Sequence, residues 1–150
     1  MFKYVLSDDS ESAIALAIDT IRAAKEGKAD VRDLIMSKSC KGRWNKTSES
    51  WDFTKDYANP DSMVQVRVAK AIIAKGLPFT PGMKIAYVVT NARIRPMRIE
   101  PWFEQEPVKN YDGQFYADRL ATAFGRVTEA FGWSGKELLS GNRQTSLFSF

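Results

Sequence analysis

Three stretches of the chain carry apolar residues at helical spacing. Apolar side chains at positions 14, 17, 18, 21 and 24 follow a Ser-Asp-Asp-Ser cluster suited to an N-cap, which predicts a helix over 8–27 that Gly27 ends. A second helix is predicted to begin at 60–62 and to end at Gly76, and a third to begin at Asp112 and end at Gly132. The apolar stripe predicted for the third helix is Phe115, Tyr116, Leu120, Ala123, Phe124, Val127 and Phe131.

The remaining sequence predicts few strands and one long loop. Alternating β-favouring residues indicate a strand over 84–90, and 31–39 fits either a strand or a short helix followed by a strand. The polar stretch 38–60 has no clean period and is predicted to be a long loop or insert. With a short helical turn at 136–139, the pattern indicates an α+β, mainly helical domain over 1–141, followed by a polar tail at 142–150.

Composition removes several classes of function. The chain has 150 residues, no histidine and one cysteine, Cys40, so it lacks the usual general base, the commonest zinc ligand and any internal disulfide. Asp8 and Asp9 lie where an N-cap is needed, and no further acid completes a metal motif. We therefore expect no catalytic residue and no bound metal. No run approaches 18 apolar residues, so we expect a cytoplasmic protein without a membrane partner.

Positive charge is concentrated in two stretches that contain no acid. The chain has 22 Lys and Arg against 18 Asp and Glu, and eight of these cations lie within 34–48 and 84–99. They are Lys38, Lys41, Arg43, Lys46, Lys84, Arg93, Arg95 and Arg98. On one face they would bind phosphates and release condensed counterions, whereas the alternative is an ordinary solvated surface.

Three tryptophans accompany these cations. Trp44, Trp51 and Trp102 could stack on nucleic-acid bases, since every base has an aromatic face. The favoured interpretation is that they anchor loops to the core, because tryptophan is highly buried on average.

The last seven residues resemble the sliding-clamp interaction motif known as the PIP box. Gln144, Leu147 and Phe150 form the pattern Q-x-x-L-x-x-F, and Phe148 adds a second aromatic residue out of step with it. One helical turn would place Leu147 and Phe150 on one side as apolar plugs, with the Gln144 amide in a second pocket. The alternative is a tail that folds back on the core through Leu147 and Phe148.

The order of segments is similar to that in the C-terminal thumb of family B DNA polymerases, especially archaeal ones. The segments that carry the resemblance are DLIMSKS, Y-x-x-P before VQVRVAKAIIAKG, PGMKIAYVVT, YDGQFYADRL and QTSLFSF. They are collinear from about Val5 to Phe150, although the stretch 40–58 is longer than this pattern expects.

The resemblance implies that this chain binds DNA and the sliding clamp and that a partner chain carries out catalysis. The eight cations would contact the phosphates of a primer-template duplex without reading its sequence, and the tail from Gln144 would tether the enzyme to the sliding clamp. The catalytic carboxylates and their divalent metal, expected to be magnesium, would belong to the palm of a partner chain. The chain itself would hold no cofactor, and its expected location is the cytoplasm, associated with the nucleoid.

Several origins and functions fit this pattern. The chain could be an excised thumb domain or the separately encoded small subunit of a split polymerase. The small subunit is favoured because Phe2, Tyr4, Val5 and Leu6 could pack against a large catalytic subunit. The alternative from another class is a stand-alone replication accessory protein that binds DNA and the clamp. A magnesium-dependent nuclease or transferase is least favoured, because the acids share no motif.

Overall fold

The computed structural model describes residues 9–142, and within them the predicted α+β, mainly helical fold is confirmed. Its helices are α1 (Ser10–Lys25), α2 (Val64–Ala74), α3 (Gly113–Thr128) and α4 (Gly135–Ser140). Its strands are β1 (Met36–Ser39), β2 (Arg43–Asn45), β3 (Ser50–Asp52), β4 (Lys84–Asn91) and β5 (Arg98–Pro101). Short 3-10 turns lie at Val31–Leu34, Pro60–Ser62 and Glu129–Phe131. None of the helices in 9–142 is long and apolar enough to cross a membrane.

The chain divides into two compact units. Unit 1 combines 1–30 with 112–150, and unit 2 is the continuous segment 31–111. Unit 1 is therefore discontinuous in sequence, and unit 2 interrupts it between α1 and α3.

Unit 1 is built from α1, α3 and α4 around a small apolar core. Helix α1 begins as predicted, because the Asp9 side chain accepts a hydrogen bond from the Ser12 amide at 3.1 Å. The core residues are Ile14, Ala17, Ile21, Ala117, Ala121 and Leu138. Helix α4 begins with a capping box, in which Ser134 and Glu137 each accept a hydrogen bond from the other's backbone amide.

The buried face of α3 differs from the predicted stripe. Its buried residues are Tyr116, Ala117, Ala121, Gly125 and Thr128, so Tyr116 alone of the predicted set is buried. The predicted Phe115, Leu120, Phe124, Val127 and Phe131 are half-buried, and Ala123 is exposed.

Close approach of α4 is the reason for this difference. A Cβ atom placed on Gly125 would lie 2.9 Å from the amide nitrogen of Gly135, and one on Gly135 would lie 2.8 Å from the carbonyl oxygen of Ala121. Only small residues fit where the two backbones meet, and the larger apolar side chains flank that contact. Phe124 accordingly packs against the core from its edge.

Unit 2 contains a three-stranded antiparallel sheet in the order β1-β4-β5, with α2 packed on β4 and β5. The central strand β4 contributes buried Ile85, Tyr87, Val88 and Val89. Because Val31–Leu34 forms a 3-10 turn before β1, the alternative of a short helix followed by a strand is confirmed for 31–39.

The stretch 38–60, predicted as a long loop, contains a β-hairpin formed by β2 and β3. Its strands are three residues each, too short for a two-residue period to stand out in the sequence. Trp44 and Trp51 lie directly opposite each other in its register.

Candidate nucleic-acid interface

Charge is separated between the two units. Unit 2 has 14 Lys and Arg against 8 Asp and Glu, whereas unit 1 has 8 against 10. The modest excess of +4 in the whole chain therefore combines an excess of six positive charges in unit 2 with an excess of two negative charges in unit 1. All eight cations proposed from the sequence lie in unit 2, and all eight are exposed.

These cations are mostly not neutralised by neighbouring acids. Across residues 9–142, seven of the eight have no carboxylate oxygen within 4.0 Å, and the exception is Arg43, whose Nε lies 3.7 Å from Asp56 Oδ2. Other cations of unit 2 are paired, since Lys70 lies 2.7 Å from Asp61 and Lys75 lies 2.6 Å from Glu106. The sequence-derived set is thus largely available to an anionic ligand.

The first group of cations lies where β1 and the start of β4 pair. Lys38 is opposite Ile85, and Lys84 is opposite Ser39, so strand alternation directs Lys38 and Lys84 to different faces of the sheet. Pairing continues past β1, because the Cys40 amide donates to the Met83 carbonyl at 3.1 Å. Lys41 follows at this same end of the sheet.

The second group lies at the other end of β4. Arg93 and Arg95 belong to the loop between β4 and β5, and Arg98 pairs with Asn91. A strand rises roughly 3.4 Å per residue, so Lys84 and Asn91 are about 24 Å apart, comparable to seven base pairs of duplex DNA. The structure therefore distributes the cations along the sheet and does not gather them at one point.

The third group surrounds the hairpin and includes a residue that the sequence did not single out. Lys55 joins Arg43, Trp44, Asn45, Lys46 and Asp52 in lining an open groove of about 230 Å³. Lys55 lies between Asp52 and Asp56 in the sequence, so it falls outside the acid-free runs. Hydrogen bonds from Thr54, with Lys55 and Arg43 nearby, lower the pKa of Asp52.

The structure distinguishes the roles of the tryptophans. Trp51 packs against Phe79 with ring centroids 4.9 Å apart, which confirms the anchoring interpretation for this residue. Trp102 is half-buried, and its backbone amide donates to the Ala86 carbonyl at 3.0 Å. Trp44 instead has 51% of its surface exposed.

The remaining candidates are the proposed clamp motif, the N-terminal residues, a metal site and Cys40. Gln144, Leu147, Phe148 and Phe150 of the proposed clamp motif lie outside the described residues, as do Asp8 and the apolar N-terminal residues. Within 9–142, no three side chains among Cys, Asp and Glu are grouped so that they could hold a metal ion. Burial raises the pKa of the Cys40 thiol.

Comparison with known proteins relates this chain to a region of DNA polymerases. It is 28% identical over 148 residues to DNA polymerase 2 of Aeropyrum pernix, an alignment that covers 93% of this chain and 16% of that protein. It is 35% identical over 77 residues to a DNA polymerase of Thermococcus hydrothermalis, covering 49% of this chain and 5% of that protein. The chain therefore spans less than a fifth of either relative's length. No protein-family model matches it.

Proposed function

We propose that this chain is the thumb part or small subunit of a family B DNA polymerase. In this role it grips the primer-template duplex and tethers the enzyme to the sliding clamp, while a palm-containing partner chain supplies the catalytic carboxylates and magnesium. The similarity to two DNA polymerases and the collinear order of segments support this proposal.

The observation that carries the DNA-binding role is a set of seven exposed cations in unit 2 that have no carboxylate oxygen within 4.0 Å among residues 9–142. Each exposed cation that neutralises a phosphate releases a condensed counterion, so binding is favourable and depends steeply on salt. Contacts to the sugar-phosphate backbone carry no sequence information, which suits a polymerase that must move along any template. The cations extend over about 24 Å along the sheet, which fits a ligand with phosphates repeated along its length. Because Lys38 and Lys84 lie on different faces of the sheet, the duplex would contact only one of these two lysines.

The test is the salt dependence of duplex binding by the full chain. Replacing Arg93, Arg95 and Arg98 together by Ala should weaken binding and lower the slope of log affinity against log salt by about 0.9 for each lost phosphate contact. A control replaces three exposed cations of unit 1, Lys25, Lys28 and Lys136, by Ala, which removes the same net charge. An unchanged slope in the first variant, or an equal loss in both variants, would contradict the proposal.

The clamp-binding role is tested separately at the tail. Removing residues 143–150, or replacing Leu147 and Phe150 by Ala, should abolish binding to the sliding clamp and spare duplex binding. If the full chain does not bind the clamp, the PIP-box interpretation is wrong.

The partner-chain role is tested by co-purification with a large polymerase subunit. We expect a stable complex that incorporates nucleotides on primed DNA when magnesium is present. If DNA and clamp bind but no complex forms, the stand-alone accessory protein becomes the better description.

A further inference from the structure

The β2–β3 hairpin exposes an aromatic side chain beside positive charge. Trp44 has 51% of its surface exposed, although large aromatic residues usually bury most of their area. It lies on β2, directly before Asn45 and Lys46 at the turn. Of the two tryptophans that form this cross-strand pair, only Trp51 contacts the aromatic core of unit 2.

The exposed indole is held in place from one side. Its ring centroid lies 5.5 Å from that of Trp51, with an angle of 69° between the planes. Trp51 in turn packs edge-on against Phe79, and Phe79 lies 5.9 Å from Phe53. Binding a ligand at Trp44 therefore costs little side-chain entropy, because the aromatic row already restricts the ring.

The backbone around Trp44 is restricted as well. The Asn45 side-chain oxygen accepts hydrogen bonds from the amides of Thr47 at 2.9 Å and Ser48 at 3.2 Å, which fixes the turn. At the base of the hairpin, a Cβ atom on Gly42 would lie 2.9 Å from the Phe53 ring, so the strand rests closely on the core. These contacts support the hairpin backbone on both sides of Trp44.

The charges in the groove beside Trp44 favour an anion. Arg43 faces Asp52 across the hairpin and lies 3.7 Å from Asp56, so acids offset its charge. Asp52 is itself engaged by Thr54, whose amide and hydroxyl donate to it at 2.8 and 2.6 Å. Lys46 and Lys55 remain, with no carboxylate oxygen within 4.0 Å in the described part of the chain.

We propose that this hairpin binds an unpaired nucleotide of DNA, with its base stacked on Trp44 and its flanking phosphates on Lys46 and Lys55. An exposed aromatic ring next to cations is the arrangement that single-strand binding proteins use. Base pairs in the interior of a duplex are covered on both faces by their neighbours, so this contact favours DNA with an unpaired end or gap. The inference rests on the DNA-binding role proposed above and adds a site for single-stranded segments to it.

The experiment compares two DNAs that share one duplex, the first blunt and the second with a short single-stranded thymine overhang. Affinities of the full chain are measured by fluorescence anisotropy. Trp44→Ala should weaken binding to the overhang DNA by about 5- to 150-fold, the range of one base–aromatic stack, and leave blunt-duplex affinity within about twofold. Trp44→Phe should recover most of the loss because it keeps an aromatic face.

Two further variants control for surface area and folding. Leu77→Ala removes another exposed apolar side chain of unit 2, 46% exposed, and should change neither affinity. Lys55→Ala leaves the aromatic row intact and removes a groove cation that is not among the eight proposed to contact the duplex. It should lower the salt slope for the overhang DNA by about 0.7, the value for one lost phosphate contact, and leave the slope for the blunt duplex unchanged. This variant tests the site even if Trp44→Ala distorts the hairpin.

The outcomes separate this inference from the proposed function. If the wild-type chain binds both DNAs and neither hairpin variant weakens the overhang complex selectively, the inference is overturned and the duplex-binding role stands. If Trp44→Ala instead abolishes only the complex with the large polymerase subunit, the hairpin is a protein contact and the inference is likewise overturned. If the wild-type chain binds neither DNA, the proposed DNA-binding function is wrong, and the inference that rests on it is overturned as well.

Discussion

Replacing Gly135 by Ala tests the close contact between α3 and α4. The added methyl group would lie 2.8 Å from the carbonyl oxygen of Ala121 and 3.3 Å from its carbonyl carbon, distances that only a movement of backbone can relieve. Alanine gains about 0.5–1 kcal/mol over glycine in a helix, whereas overpacking typically costs about 1–3 kcal/mol. We expect the steric cost to prevail, with a net loss of about 1–2 kcal/mol.

The assay has to observe unit 1 by itself, since the two units need not unfold together. Hydrogen exchange read by mass spectrometry should show faster exchange in peptides from α1, α3 and α4, with β4 unchanged. The unfolding temperature of unit 1 should fall by about 4–8 °C for each kcal/mol of stability lost. Thr122→Ala, an exposed change on α3, serves as the control.

An unfolding temperature for Gly135→Ala at or above that of the wild type would refute this reasoning. The reciprocal variant Gly125→Ala should destabilise unit 1 as well, because its methyl group would lie 2.9 Å from the Gly135 amide nitrogen. The double variant should lose less stability than the sum of the two single losses, because both methyl groups clash at the same contact and one separation of α3 from α4 relieves both clashes.

Three more predictions concern local features. Ser134→Ala should lower the stability of unit 1 by about 1 kcal/mol in urea unfolding, because the capping box with Glu137 loses its hydroxyl. The Cys40 thiol should react with a disulfide reagent far more slowly in the native protein than in urea, since burial shields the sulfur and raises its pKa. Hydrogen bonds from Ser12 lower the pKa of Asp9 in the folded state, so its stabilising contribution is complete above the ordinary Asp pKa of 3.8 and is lost as pH falls through the lower folded value. The Ser12 amide proton should titrate in NMR spectra with a midpoint below 3.8, and in Asp9→Asn this transition should disappear.

The helices were predictable because their signals are local. Asp9 and Asp112 accept hydrogen bonds from amides three residues later, and the apolar spacing of α1 marks the face that the structure buries. The buried face of α3 was not predictable in the same way. Its direction depends on Gly135, which belongs to the next helix and approaches Ala121 and Gly125 closely only in the folded unit.

In the candidate site, too, contacts between residues distant in sequence could not be predicted. Acid-free runs in the sequence located eight exposed cations, but the approach of Asp56 to Arg43 arises only from folding. Nothing in the sequence distinguishes Trp44 from Trp51, since both have polar neighbours. Their difference follows from Phe79, which packs on one tryptophan of the pair from a segment almost thirty residues further along the chain.

The interruption of unit 1 by unit 2 has a consequence for the order of folding. The chain leaves α1 at Lys25 and returns to it at Gly113, where a Cβ atom would lie only 2.5 Å from the Lys25 carbonyl oxygen. Closing a flexible loop of that length costs about 4 kcal/mol in its length-dependent part. Unit 2 is continuous and can collapse first, which shortens the loop before the α1–α3 contact forms. We therefore expect the sheet to be protected from hydrogen exchange earlier than the helices of unit 1 during refolding.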